Sequence, residues 1–256
     1  MIDNLSVTLF TAVHNNSPKI SNKLFTPIHV GKLNSLIELK DTLTDDTGDN
    51  ISDKNKNYCE LTALYWIWKN YPLPDYIGLS HYRRFFNFYS KKDRRHLKKE
   101  EPLKKLNMLC DEKHISNIKK ALSKKDIILP RLTYPKYNKK KQTIEENFLM
   151  GHIPEDWNIM LEVLEEKYPH YYEFSKKYFL QEGMHYFNMF ISKKDFFTEY
   201  MEWIFDILFE VEKRIEISLY PYQQRIFGFL SERLFNLYIY FNKLKIEEVP
   251  VSKIDF

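Results

Sequence analysis

The chain reads as an α/β protein, and three features predict it. Short apolar runs rich in β-branched residues have the length of buried strands, longer stretches with apolar residues at helical spacing lie between and after them, and the C-terminal third is helical throughout. At 256 residues, 43% of them hydrophobic, the chain is long enough to bury one substantial core and is taken as a single domain.

The first run, Leu5-Ser-Val-Thr-Leu-Phe-Thr-Ala-Val-His14, ends in Asn15-Asn-Ser-Pro18, the pattern of a buried strand followed by a loop. Phe25-Thr-Pro-Ile-His-Val30, closed by Gly31, predicts a second short strand. Asp45-Asp-Thr-Gly-Asp-Asn-Ile-Ser52 has the Gly, Asn and Asp density of a turn. A polar stretch then leads into Cys59–Trp68, where Leu61, Leu64, Tyr65 and Trp68 share one helical face. Tyr76-Ile-Gly-Leu79, behind Pro72 and Pro74, reads as a central strand whose end delivers His81, Arg83 and Arg84. Asp126–Pro130 reads as another strand, stopped by its proline. Pro154–Leu164 opens with a proline and acids in its first turn, as helices do. Phe187–Ile191 reads as a strand, Phe197–Ile215 as a long amphipathic helix and Ile226–Phe241 as another. No internal repeat or low-complexity linker interrupts the order.

The net charge of +4 conceals an asymmetry. Between Lys91 and Lys141 there are eighteen Lys and Arg against six Asp and Glu, a local net of +12 that leaves −8 for the remainder. Such a basic insertion, residues 91–141, either attracts a phosphate-rich partner (a membrane surface, a lipid diphosphate or nucleic acid) or is a solvated face. Cys59 and Cys110 form neither a disulfide framework nor a zinc spacing, so reduced structural thiols are expected. No run approaches the ~18 apolar residues of a membrane span, and Met1-Ile-Asp-Asn lacks the regions of a signal peptide, so a cytoplasmic location is expected.

Ser80-His-Tyr-Arg-Arg84 places ionisable groups directly after an apolar run with no turn residue between them. Ligands of open α/β sheets bind at the carboxyl ends of strands. Two arginines there can grip a diphosphate through bidentate hydrogen bonds, and His81 can donate to phosphate or shuttle a proton. The competing reading pairs the arginines with carboxylates in a structural network. Gly48-Asp-Asn-Ile-Ser52 stands before a helix and either presents N–H groups to an anion or nucleotide or forms an ordinary capped turn. Glu60, early in that helix, faces either the loop and its ligand or only the helix dipole. Glu182, His185 and Asn188 gather at a strand entrance. Arg225 and Glu232, seven apart on a helix, share one face, turned to a pocket or to solvent.

Taken together, these runs resemble a family of bacterial capsule and exopolysaccharide glycosyltransferases, long catalogued as a domain of unknown function, with galactofuranosyltransferases among its members. The matching stretches are Pro27–Gly31, Asp46–Ser52, Tyr58–Asn70, Tyr76–Phe85 with its His-Tyr-Arg-Arg core, Tyr186–Ile191 and Gly228–Leu234, in order along nearly the whole chain. The resemblance implies a GT-A-like (Rossmann-like) central mixed sheet flanked by helices and a UDP-sugar donor, with UDP-galactofuranose expected. It further implies a growing glycan acceptor on a lipid carrier, met by peripheral association with the inner face of the plasma membrane. On that reading Ala12, Val13, His14 and His29 at the strand ends hold the donor with Asp46, Gly48, Asp49, Asn50, Ile51 and Ser52 in the loop. Asn57, Tyr58, Glu60 and Asn188 complete the donor set.

Where GT-A enzymes carry an Asp-x-Asp metal motif, this strand ends in His81-Tyr82-Arg83. Cationic side chains are therefore expected to stabilise the leaving diphosphate without a metal, with Asp46 and Asp49 as the acidic alternative for Mn²⁺ or Mg²⁺. The base that deprotonates the acceptor hydroxyl stays open among Asp75, His81, Glu182, His185 and Glu232. The rival readings are a non-catalytic component of a polysaccharide assembly complex and a nucleic-acid-binding protein. The latter leaves the Asp-Thr-Gly-Asp-Asn and His-Tyr-Arg-Arg runs without a role, so no nucleic-acid partner is expected.

Overall fold

The structure, a computed structural model, describes residues 4–16, 19–88, 94–97 and 112–254, the stretch 94–97 by its backbone alone. Cys110 and much of the first half of the basic insertion lie outside the described residues.

Four strands come first: β1 (Val7–Val13), β2 (Phe25–His29), β3 (Leu43–Thr44) and β4 (Tyr76–His81). Between β3 and β4 stand a single helical turn, α1 (Asn55–Tyr58), and α2 (Leu61–Asn70). The chain then forms β5 (Arg84–Phe86), β6 (Arg94–Leu97), α3 (Glu112–Leu122), β7 (Ile127–Pro130) and a small hairpin, β8 (Lys136–Tyr137) with β9 (Lys140–Lys141). Three helices follow, α4 (Ile144–Gly151), α5 (Pro154–Lys167) and α6 (Pro169–Tyr178), then β10 (Phe190–Lys193), α7 (Lys194–Glu212), α8 (Ile226–Phe241), β11 (Ile246–Val249) and β12 (Val251–Ile254).

The main sheet runs β11-β7-β10-β4-β1-β2-β3, with β5, β6 and β12 extending it off that path. Neighbours on the path are parallel except around β10, which is antiparallel to both β4 and β7. This is the α/β class read from the sequence, a mostly parallel mixed sheet with a helical C-terminal part. The order reverses at β1: β2 and β3 lie on one side, β4 on the other. Such a reversal leaves a crevice at the carboxyl ends of the strands, because the following connections leave toward opposite faces.

Strand alternation divides the core. Phe10, Ile77, Leu79, Ile127, Leu129 and Phe190 face a large cluster built with the long helices. Leu9, Tyr76, Ile128 and Ile191 face a smaller cluster that contains Ile118 and Leu122 of α3. The helices α7 and α8 are amphipathic for internal reasons. Tyr200, Ile204, Leu208, Leu230, Leu234 and Leu237 all pack into the large cluster.

Four local readings change. The helix expected over Cys59–Trp68 begins at Leu61 and runs to Asn70, because Cys59 adopts φ 54°, ψ −130°, and a separate helical turn, α1, stands before Cys59 where a loop was expected. The run after His81 is a hairpin, in which Arg84 pairs antiparallel with His81. The strand expected from Phe187 begins at Phe190, since Phe187 and Asn188 take φ values of 82° and 49°. Two strands, β11 and β12, close the chain after the last helix, where none was expected. Among the described residues no helix is long and apolar enough to cross a membrane.

Candidate active site

A cavity of about 570 Å³ opens at the reversal of strand order. Its floor is the carboxyl ends of β1 and β4, with Ala12, His14 and His81 in its lining. The β4–β5 turn contributes Tyr82, Arg83 and Arg84; the α1–α2 junction contributes Asn55, Lys56, Cys59 and Glu60; and the start of α8 contributes Arg225 and Glu232. Four cations thus line it against two carboxylates.

The arginine turn is held from both sides. Tyr82 N donates to Ala12 O at 3.1 Å, and Arg83 O accepts from Ile254 N at 2.9 Å. The guanidinium of Arg83 lies over the Tyr82 ring at 4.8 Å, and that of Arg84 over the Phe187 ring at 4.4 Å. Among the described residues neither arginine pairs with a carboxylate, and the buried Nε of Arg83 has no hydrogen-bond partner. The structural-network alternative therefore fails on its own terms. Burial, with Arg83 beside it, lowers the pKa of Arg84, and the more distant Glu60 and Glu232 oppose the shift without cancelling it.

His81 Nε2 donates to Phe187 O at 2.6 Å when the ring is neutral, which leaves Nδ1 as the acceptor. Burial lowers its pKa, so the neutral ring is the form present near neutrality. Glu232 Oε1 accepts from Phe187 N at 2.7 Å, and Oε2 pairs with Arg233 Nη1 at 3.2 Å. Burial raises the Glu232 pKa despite that neighbouring cation. Glu60 Oε1 accepts from Asn188 Nδ2 at 2.8 Å. Arg225 Nε donates to Cys59 Sγ at 3.3 Å, and burial pushes the Cys59 thiol up to about 12. Backbone strain concentrates here: Cys59, Phe187 and Asn188 all have positive φ without being glycine.

Of the candidate catalytic residues, the fold brings together His81, Arg83, Arg84 and Glu232. Three do not join them. Asp75 lies at the amino end of β4, where its Oδ2 accepts from Ser6 N and Ser6 Oγ, both at 2.8 Å. Glu182 is paired with Lys141 at 3.0 Å on the surface. His185 is buried, with Nδ1 donating to Pro130 O at 2.6 Å and its backbone N held by Asn236 Oδ1. Each is satisfied by local structure and outside the cavity lining.

The candidate donor residues divide likewise. Ala12, His14 and Glu60 line the cavity, Asn188 holds Glu60, and Val13 and His29 are buried at the adjoining strand ends. Among the described residues neither ring nitrogen of His29 has a hydrogen-bond partner. The Asp46–Ser52 loop is turned to structural use. Asp49 Oδ1 accepts from Tyr65 OH at 3.0 Å, Gly48 packs on Asn70, and Asn50 closes its own turn onto Ser52 N at 3.1 Å. Asp46 is half-buried outside the cavity lining, Ile51 is in the core, and Ser52 Oγ donates to Asp45 Oδ1 at 2.5 Å. Asn57 donates to Gln224 O at 2.9 Å, and Tyr58 OH to Glu212 Oε2 at 3.1 Å.

Sequence reasoning missed Asp45, which is fully buried and accepts from Gly31 N at 2.8 Å and Lys32 N at 3.0 Å. It anchors the loop after β2. Gly31 there has φ 66°, and any Cβ would stand 2.7 Å from the side chain of Asn55, a cavity residue. Lys56, outside every matching stretch, was also missed, and Cys59 was read only as a structural thiol; Arg225 was legible from its spacing to Glu232.

Among the described residues no three His, Cys, Asp or Glu side chains are arranged to hold a metal ion. The groups at the end of β4 are nitrogen donors and cations, which do not fit a hard divalent ion, and Asp46 and Asp49 are not in the cavity lining.

A family model described as a domain of unknown function, DUF4422, matches residues 8–243. The solved apo structure of WbbM, a bifunctional glycosyltransferase, is similar with 32% identity and a TM-score of 0.87, covering 98% of this chain and 46% of that one. The chain thus spans about half the length of WbbM. No curated protein matches it.

Proposed function

The chain belongs to the DUF4422 family, and from that starting point we propose that it is a glycosyltransferase that uses a nucleotide-diphosphate sugar. The observation that carries the reading is the pair Arg83 and Arg84, free of carboxylate partners and pinned at the carboxyl end of the central strand over a cavity of about 570 Å³. The bifunctional glycosyltransferase WbbM, whose fold this chain shares, supports the same reading.

In the reaction an acceptor hydroxyl attacks the anomeric carbon of the donor. The new C–O bond forms as the bond to the diphosphate breaks, and the nucleoside diphosphate leaves with the bonding pair. Arg83 and Arg84 neutralise the charge that develops on it, aided by Arg225 and Lys56. Glu232 receives the proton of the hydroxyl, since burial gives its carboxylate the raised basicity a general base needs. His81, neutral, orients through Nδ1. The finer identity proposed is UDP-galactofuranose as donor and a lipid-linked capsular or exopolysaccharide glycan as acceptor.

Isothermal titration with UDP and turnover of UDP-galactofuranose test the reading, each with and without chelator. Arg83→Ala and Arg84→Ala are each expected to cut turnover by about a hundred-fold or more with the melting temperature kept, and activity is expected to survive chelation. Wild-type turnover in both variants would remove the arginines from the reaction. A chain that binds UDP but turns over no sugar nucleotide would favour the non-catalytic component instead.

A further inference from the structure

We propose that the β8–β9 hairpin and the loop Ile217–Tyr222 form one docking surface for an anionic lipid bilayer, beside the mouth of the cavity. The hairpin turns on Asn138 and Lys139, at φ 48° and 68°. Two left-handed residues suit the twist of a two-residue hairpin, but the second position favours glycine. A lysine held there is strained, and its side chain is exposed. Lys136, Lys139 and Lys140 are all exposed and, among the described residues, make no ion pair; only Lys141 is engaged, by Glu182 at 3.0 Å. Strain kept at an outermost position points to a role outside the fold.

The loop supplies the apolar half. Leu219 is 92% exposed, Tyr220 75% and Tyr222 58%. Three consecutive residues join it to the hairpin. Gln142, just past β9, donates to Met150 Sδ at 2.9 Å, Gly151 O accepts from Gln223 Nε2 at 3.0 Å, and the His152 ring stacks on Tyr222 at 5.9 Å. Met150 is itself 56% exposed and Tyr137, in the hairpin, 56%. The surface adjoins the cavity because Tyr222 packs on Phe229 at 5.1 Å and Arg225, a cavity residue, lies over that same ring at 5.6 Å.

Outer lysines beside exposed tyrosine, leucine and methionine match the headgroup and interfacial layers of an anionic membrane. Nucleic acid would satisfy the lysines but leave Leu219 and Met150 unused. The long helices α7 and α8 cannot serve, since they spend their apolar faces in the core. A bilayer at this surface would bring a lipid-borne acceptor to the cavity mouth, but the surface itself stands whatever the donor.

The test is co-sedimentation of the full chain with phosphatidylcholine vesicles, with and without phosphatidylglycerol, at physiological ionic strength. Two variants are compared: Lys136→Ser, Lys139→Gly and Lys140→Ser together, and Leu219→Ser with Tyr220→Ser. The wild type is expected to bind the anionic vesicles. The lysine variant is expected to bind at least about ten-fold more weakly, at roughly five-fold per lysine near an anionic surface, and the loop variant also weakly, neither with a lowered melting temperature. No binding by the wild type, binding by both variants equal to wild type, or stronger binding to a DNA oligonucleotide than to vesicles would each overturn the proposal. No sugar nucleotide is present in the assay, so its failure and the failure of UDP binding are separate results.

Discussion

Glu232 shows how position, not residue type, makes a chemical candidate. It stands seven residues after Arg225, a spacing visible in the sequence, and the two side chains do meet in the cavity lining. Its basicity is invisible there, because it comes from burial and survives both the adjacent Arg233 and the Phe187 backbone donor, which oppose it. Asp75 and Glu182 look equivalent on paper, yet each sits where local donors take it: Ser6 for one, Lys141 for the other. A Glu232→Gln variant keeps the oxygen that accepts from Phe187 N but cannot take a proton, so turnover is expected to fall by about 10²–10⁴-fold. In the wild type, kcat/KM is expected to rise with pH through the elevated Glu232 pKa and level off above it, at higher pH than an ordinary glutamate would give. The same burial has a stability sign: Glu232 favours the fold most when protonated, and that contribution is lost as pH rises through its folded-state pKa. A pH profile flat across the acid range, or a glutamine variant within ten-fold of wild type, would take the base role away from Glu232.

At the scale of elements, β4 is the piece on which the site depends, and one glycine sets how its neighbours close on it. A Cβ at Gly78 would lie 2.7 Å from Leu9 Cδ2 and from Phe190 O, and 3.0 Å from Ile191 Cγ1. Leu9 comes from β1 and the others from β10, so both neighbours would have to withdraw. Gly78→Ala is therefore expected to destabilise the protein by about 1–3 kcal/mol, the cost of overpacking, and chemical denaturation measures it. A variant as stable as wild type would mean that the sheet yields locally without penalty. The central strands were legible because their apolar runs are continuous, and Ile226–Phe241 was legible to its limits because its apolar residues recur at helical spacing from end to end. The turn after His81 was not, since Tyr82 and Arg83 build it without positive φ and so without the glycine or asparagine that marks most two-residue hairpins. β11 and β12 escaped for a different reason: Glu247, Glu248 and Lys253 interrupt the alternation, and their pairing partners in β7 and β5 lie over a hundred residues away. The Asp46–Ser52 loop misled because its Asp, Gly and Asn content suits a ligand loop and a structural turn alike. What separates them is Asp45, whose buried carboxylate ties the loop to Gly31 and Lys32.

Over the whole molecule, burial has set titrations that bear on folding in opposite directions. Among the described residues five histidines, His14, His29, His81, His152 and His185, have lowered pKa values, each chiefly through burial. For His152 the value falls from 6.5 to about 4, with Arg233 adding to the effect. A histidine that is neutral in the fold but charges on unfolding makes the unfolded chain the better proton binder, so stability rises with pH through the window between the two values. Asp156 works the other way. Burial, then Glu155, raises it from 3.8 to about 6, so its contribution is full below the unfolded value and lost as pH rises toward 6. The His152 and Asp156 windows overlap, and among the described residues the histidines shifted down outnumber the carboxyls shifted up, Asp156 and Glu232. Stability is thus expected to fall on acidification from pH ~6.5 to ~4.5, with a limiting slope of about 1.4 kcal/mol per pH unit for each net proton taken up on unfolding. Asp156→Asn removes the opposing group and is expected to steepen the fall; His152→Gln removes one driving group and is expected to soften it. Urea midpoints measured across that range decide the matter. A midpoint independent of pH in the wild type, or an Asp156→Asn variant that loses stability less steeply than wild type, would show that buried histidines do not govern acid unfolding here.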